Sequence, residues 1–155
     1  MTKATECRNF VVAGHSGSGK TTLCELMLFK GGAIPRPGSV DAKNTVSDFM
    51  ADEQEKGSSI YSTVMNCKWK GDEYFFIDTP GYGEFVGEYV AAVREADAAL
   101  VVVDAVDGPQ IGTARAWKLS KQRGIPRFGC AATTAKTSSS RFTGRSGRRR
   151  ISAGS

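Results

Sequence analysis

The sequence predicts an α/β fold, a mainly parallel sheet flanked by helices, and three observations carry that prediction. Short apolar, β-branched runs ("NFVVAG", "AALVVVD", "IPRFG") alternate with helical patterns along the chain. A glycine-rich turn, "GHSGSGKT" at residues 14–21, sits between the first of these runs and a helical segment. Asp78 closes the buried run "YFFID" and leads into the turn "TPGYG". In open sheets of this kind ligands bind at the carboxyl ends of the strands, where both turns fall.

Taken in order, "NFVVAG" is a short buried strand ending in Gly14, and "KTTLCELMLFKGG" is a helix stopped by Gly31 and Gly32. Residues 33–57 are polar and without period, so they form a long connection, with one short helix expected around residues 48–55. "SIYSTVMNCKWKGDEYFFID" gives a strand through Trp69, a tight turn at residues 70–72 and a second strand ending at Asp78: a hairpin. "EFVGEYVAAVREAD" places Phe85, Tyr89, Val93 and Ala96 on one helical face. "AALVVVD" is a fully buried strand, "GTARAWKLSKQRG" a third helix, and "IPRFG" a further strand.

With 155 residues, 40% apolar and 24% charged, the chain is sized for one domain with a hydrophobic core. Its apolar runs are far shorter than the ~20 residues of a membrane helix. The polar start "MTKATECRN" has no secretory signal, so a cytoplasmic protein without membrane contact is expected. Cys7, Cys24, Cys67 and Cys130 contain no C-x-x-C pair, which points to reduced structural thiols rather than a zinc site or a disulfide framework. The net charge of +5 divides unevenly: residues 1–129 hold 15 basic and 16 acidic side chains, residues 130–155 six basic and none acidic. Basicity is therefore a property of the tail, not of the body.

The turn at residues 14–21 fits G-x-x-x-x-G-K-[ST] and lies after a strand and before a helix, as a phosphate-binding loop must. Gly14, Gly17 and Gly19 let successive N–H groups of His15, Ser16, Ser18 and their neighbours close around one anion. Lys20 reaches the outer phosphates, and the Thr21 hydroxyl is suited to Mg²⁺. The fold class narrows to a P-loop NTPase. Downstream, Asp78 can hold water of the Mg²⁺ shell, and the turn Thr79, Pro80, Gly81 can offer the Gly81 N–H to a γ-phosphate. Asp, Pro and Gly also suit a plain turn for conformational reasons alone. His15, the only histidine, matters there for its backbone more than for acid–base chemistry.

Together "GHSGSGKT", "DEQEKGSSI", "DTPGYGEFVGE" and "AALVVVDAVDGPQ" resemble the GTP-binding domain of translational GTPases, most closely elongation factor G and elongation-factor-G-like proteins. The resemblance runs from about Arg8 to Gly129. It implies GTP or GDP with Mg²⁺ as cofactors, residues 14–22 including Thr22 as the phosphate loop, residues 41–60 as a first switch segment, and residues 78–82 as the start of a second. It also implies Ser59 as a Mg²⁺ ligand where the family has threonine, hydrolysis involving Lys20, Gly81 and Tyr82, and the ribosome as partner. Both switches would be ordered by γ-phosphate and Mg²⁺.

The chain departs from the family at two places. Tyr82 stands where elongation factors usually carry a histidine that positions the attacking water; a phenol of pKa about 10 is a poor proton acceptor at neutral pH but can still orient water. After Gly129 the family continues into a strand and N-K-x-D, the guanine reader, whereas this chain reads "CAATTAKTSSSRFTGRSGRRRISAGS". A domain incomplete at its C-terminus is expected. Of these 26 residues, 17 are Ala, Gly, Ser or Thr, a composition that does not build a core. Three readings of the tail stand: disorder without a role, RNA contact through its arginines, or translation out of the original frame. Beside GTP binding and hydrolysis, a P-loop ATPase or kinase, a non-catalytic binding module and a nonfunctional fragment remain open.

Overall fold

The computed structural model describes residues 7–47 and 50–133. The three readings of the tail concern residues that lie, from residue 134 onward, outside this range, as do the first two residues of the short helix expected around 48–55.

β1 (Cys7–Gly14) is apolar on both faces and lies at the centre of a five-stranded sheet, among the described residues. It pairs in parallel with β3 (Asp72–Asp78) on one side and β4 (Ala98–Asp104) on the other. β5 (Arg127–Ala132) extends the parallel part beyond β4, and β2 (Thr63–Trp69) adds an antiparallel strand beyond β3. The order is β2-β3-β1-β4-β5. Lys70 at φ 53° and Gly71 at φ 92° make the two-residue hairpin turn between β2 and β3, both in the positive-φ region that such a turn demands.

Alternation along β1 divides the core. Val11 and Ala13 join Ile77, Ala99 and Val101 under α3 (Val86–Glu95) and α4 (Ile111–Arg123). Val12 joins Met65, Cys67, Phe76 and Val102 under α1 (Lys20–Lys30), which supplies Cys24 and Leu28. Because helices cover both faces, the central strands read as unbroken apolar runs rather than alternating ones. Helix α1 stops where the glycines predict. The Gly32 N–H bonds the Phe29 carbonyl at 3.1 Å and the Ala33 N–H the Leu28 carbonyl at 2.9 Å, with Gly32 at φ 73°. That is the paired closure of a left-handed helix end, which glycine adopts without strain.

Three expectations shift. The helical face read through Phe85 begins later: Gly83–Phe85 is a 3₁₀ turn, and the buried face is Tyr89, Ala92 and Val93, with Ala96 buried just past the helix end. Inside that face the Tyr89 hydroxyl lies 2.5 Å from Ser120 Oγ and 3.1 Å from the Ala116 carbonyl, so its polar end is satisfied within the core. The boundary read at Gly129 falls inside β5, which runs on to Ala132 opposite Asp104. Small residues serve there because parallel pairing needs only backbone groups. The short helix, α2 (Ala51–Lys56), begins three residues later than expected.

Phe76 is fully buried and stacks on Phe10 with ring centroids 5.7 Å apart. Phe76→Ala is expected to cost about 3–5 kcal/mol, read as a lowered urea midpoint. Phe128→Ala, at a position 63% exposed, is expected to stay within about 0.5 kcal/mol of the parent.

Candidate functional site

The loop between β1 and α1 forms because its ends allow no alternative. At Gly14, φ 151°, a β-carbon would run into the Val102 carbonyl of the neighbouring strand and lie 2.9 Å from Ser18 Oγ. Gly17 and Gly19 take φ 75° and 87°, and a side chain at Gly17 would meet open space. Gly19 caps α1 without a side-chain hydrogen bond, and the first turn holds no acidic residue. The first N–H groups of α1 therefore face the loop without helical acceptors, an arrangement suited to an anion.

Polar side chains converge on this helix start. Thr21 Oγ1 donates to Asp78 Oδ2 at 2.8 Å, and Ser59 Oγ stands 3.3 Å from Thr21 Oγ1. Lys20 is buried and its Nζ donates to the His15 carbonyl at 2.8 Å, across the mouth of the loop. The Ser18 hydroxyl is buried with no hydrogen-bond partner among the described residues. Thr79 Oγ1 donates to the Val12 carbonyl at 2.7 Å, which fastens the turn after β3 to β1. Pro80 is buried beside it. Gly81 then lies directly on the loop: a β-carbon there would come within 2.5 Å of both Lys20 Nζ and Ser16 N. Glycine is required at 81 for space.

Residues read from the sequence thus divide. Ser18, Lys20, Thr21, Ser59, Asp78, Thr79, Pro80 and Gly81 come together around the loop. Thr22 is exposed. Tyr82 is 43% exposed, and its carbonyl accepts the Phe85 N–H at 3.2 Å to open the 3₁₀ turn. His15 turns to α4, its Nδ1 accepting the Gly112 N–H at 3.3 Å. Sequence reasoning missed three contributors. Cys24 packs one turn along α1, and Glu25 beside it and Glu53 on α2 are both buried. Glu25 carried a signal, a charge at an apolar position of the helix; Glu53, in a segment with no period, carried none.

The Cys24 thiol is pushed well above its ordinary range, first by burial and then by the Asp78 carboxylate. It stays protonated at neutral pH, so iodoacetamide should label exposed Cys7 in the native protein and leave Cys24 untouched until urea is added. With the folded value raised, the thiol's contribution to stability is complete below the ordinary 9.0 and is lost as the pH climbs above it. Urea midpoints should therefore fall in that alkaline window, and less steeply in Cys24→Ala.

Fold and site together define a phosphate-loop nucleotide-binding domain. The chain matches the sequence model of the elongation factor Tu GTP binding domain over residues 5–133. It is 38% identical over 121 residues to elongation factor G 2 of Borreliella burgdorferi, covering 78% of this chain and 18% of that protein. Peptide chain release factor 3 of Lactobacillus acidophilus is 37% identical over 130 residues, covering 81% and 25% respectively. A crystal structure from Thermus thermophilus superposes with a TM-score of 0.78 at 41% identity, over 80% of this chain and 19% of that one. A bacterial selenocysteine-specific elongation factor, at TM-score 0.63 and 24% identity, shares the fold over 84% of this chain and 20% of its own. The chain belongs to the elongation factor Tu GTP-binding-domain family. It spans between 14% and 25% of the length of such curated relatives. Membership disfavours the ATPase and kinase readings. Among the described residues no helix is long and apolar enough to cross a membrane.

Proposed function

We propose that this domain binds GTP and GDP with Mg²⁺ at residues 14–22 and that, within a cytoplasmic ribosome-bound factor, it hydrolyses GTP by attack of water on the γ-phosphoryl group. The observation that carries the reading is the meeting of Thr21 Oγ1, Ser59 Oγ and Asp78 Oδ2 within 2.8–3.3 Å at the start of α1. Two hydroxyls and a carboxylate are hard oxygen donors. They suit Mg²⁺, which takes few protein ligands and fills its octahedron with phosphate oxygens and water.

In this reading Thr21 and Ser59 hold the ion and Asp78 accepts hydrogen bonds from its water, as it now accepts the Thr21 hydroxyl. Bound Mg²⁺ supplies neutralisation of the charge developing on the outer phosphate oxygens. Lys20 exchanges the His15 carbonyl for those oxygens, the N–H groups of Gly17, Ser18 and Gly19 line the inner phosphates, and the Ser18 hydroxyl gains an acceptor. Gly81, seated on Lys20 and Ser16, presents its N–H where the γ-phosphate arrives. Tyr82 orients water through its phenol oxygen rather than by taking a proton. A second reading, a nucleotide-dependent binding module that never turns GTP over, is favoured by the exposure of that same phenol.

For the tail we favour translation out of the original frame, motivated by the loss of acidic and large apolar residues; the other two frames of the gene should then encode N-K-x-D. RNA contact by Lys136, Arg141, Arg145 and Arg148–150 is the competing reading, and salt-sensitive RNA retention would support it.

The decisive experiment is displacement of labelled GDP in Mg²⁺. Unlabelled GDP should displace it and ADP should not; equal displacement would remove guanine selectivity. Asp78→Asn is expected to raise the Mg²⁺ requirement about tenfold to a hundredfold, read from the same titration. Turnover of bound GTP then separates the enzyme from the binding module.

A further inference from the structure

Among the described residues, the connection from the end of α1 to β2 is irregular apart from α2 and carries few buried apolar side chains. Packing does not explain its course. Carboxylates do. Glu25 of α1, 1% exposed, accepts the N–H of Gly38 at 2.7 Å and of Val46 at 2.5 Å. Glu88 of α3 accepts the N–H of Ser62 at 2.9 Å. Between them Glu53 of α2, also 1% exposed, accepts the N–H of Ile60 at 3.0 Å and of Tyr61 at 3.1 Å on Oε1, and receives a longer bond of 3.4 Å from the Met50 N–H on Oε2.

Of the three, Glu53 bears on the site. Ile60 and Tyr61 follow Ser59 directly in the chain. Holding two successive N–H groups on one oxygen fixes the peptide plane that issues from Ser59, and with it the direction of the Ser59 Cα–Cβ bond. The hydroxyl at the end of that bond is the one 3.3 Å from Thr21 Oγ1. The acceptor must be a carboxylate: with donors on both oxygens, a glutamine would set its NH₂ against a backbone N–H.

We propose that Glu53 is a positioning residue that presents the Ser59 hydroxyl to the Mg²⁺ of the nucleotide site, an inference resting on the reading of that site given above. Glu53 touches neither ion nor nucleotide. It acts by setting in advance a ligand that an irregular segment would otherwise have to order at the moment of binding, and its loss should therefore appear as a higher metal requirement.

The test uses the full chain, Mg²⁺ and a labelled non-hydrolysable GTP analogue, comparing wild type with Glu53→Gln, Ser59→Ala and the double variant. Each single variant is expected to raise the Mg²⁺ concentration for half-maximal retention about tenfold to a hundredfold, and the double variant no further than Ser59→Ala alone. In the nucleotide-free protein, the Tyr61 amide proton resonance, whose acceptor is Glu53, should shift strongly in Glu53→Gln and much less in Ser59→Ala. Additive effects in the double variant, or a shifted amide with an unchanged Mg²⁺ requirement, would make Glu53 merely structural and overturn the proposal. A wild-type chain that retains no guanine nucleotide would overturn the nucleotide reading, and this one with it. Should Glu53→Gln fail to fold, Glu53→Asp, which keeps the charge and withdraws the oxygens by one methylene, gives the same decision.

Discussion

The hydrogen bond from Thr21 Oγ1 to Asp78 Oδ2 joins the first turn of α1 to the last residue of β3, two elements separated by 57 positions in sequence. Everything around the loop depends on it. Asp78 is buried, and its register opposite Val12 places its carboxylate beside the strand that delivers the glycine turn. One residue further, Thr79 repeats the tie from its own hydroxyl to the Val12 carbonyl. The turn carrying Gly81 has therefore no freedom to drift from the loop, and the close approach that excludes a side chain at 81 follows from these two bonds.

A burial cost accompanies this arrangement. Ser18, Lys20, Thr21, Asp78 and Thr79 are all buried, and polar groups removed from water are tolerated only where partners meet them. The partners are one another and the ends of β1: the His15 and Val12 carbonyls each take a side-chain donor. The Ser18 hydroxyl and Asp78 Oδ1 are buried atoms without a hydrogen-bond partner among the described residues, the former close beside Gly14.

How far the sequence could be read depended on the range of the interactions involved. The glycine loop, the hairpin at Lys70 and Gly71 and the runs of β1 and β4 are local, set by backbone conformation and by alternation over a few residues, and each is legible from its own segment. Phe85 misled because its i, i+4 spacing to Tyr89 fits an α-helix, whereas the helix begins only at Val86 and Phe85 closes the 3₁₀ turn before it. The strand read at "IPRFG" runs further than its side chains tell, because Cys130, Ala131 and Ala132 have no strand-like side chains yet pair with Val102, Val103 and Asp104 through the backbone. Ser59 was placed through resemblance. Its setting was hidden, since the carboxylates that hold the connection act across gaps of 7 to 26 residues and leave no periodic trace.

β5 forms one rim of the sheet, as far from β2 as the architecture allows. It pairs with β4 from Arg127 to Ala132, so that β4 alone separates it from β1 and the loop. The rim and the loop are therefore one strand apart: Cys130 pairs with Val102, whose carbonyl closes on Gly14, so a disturbance of β5 reaches the first glycine of the loop through a single strand.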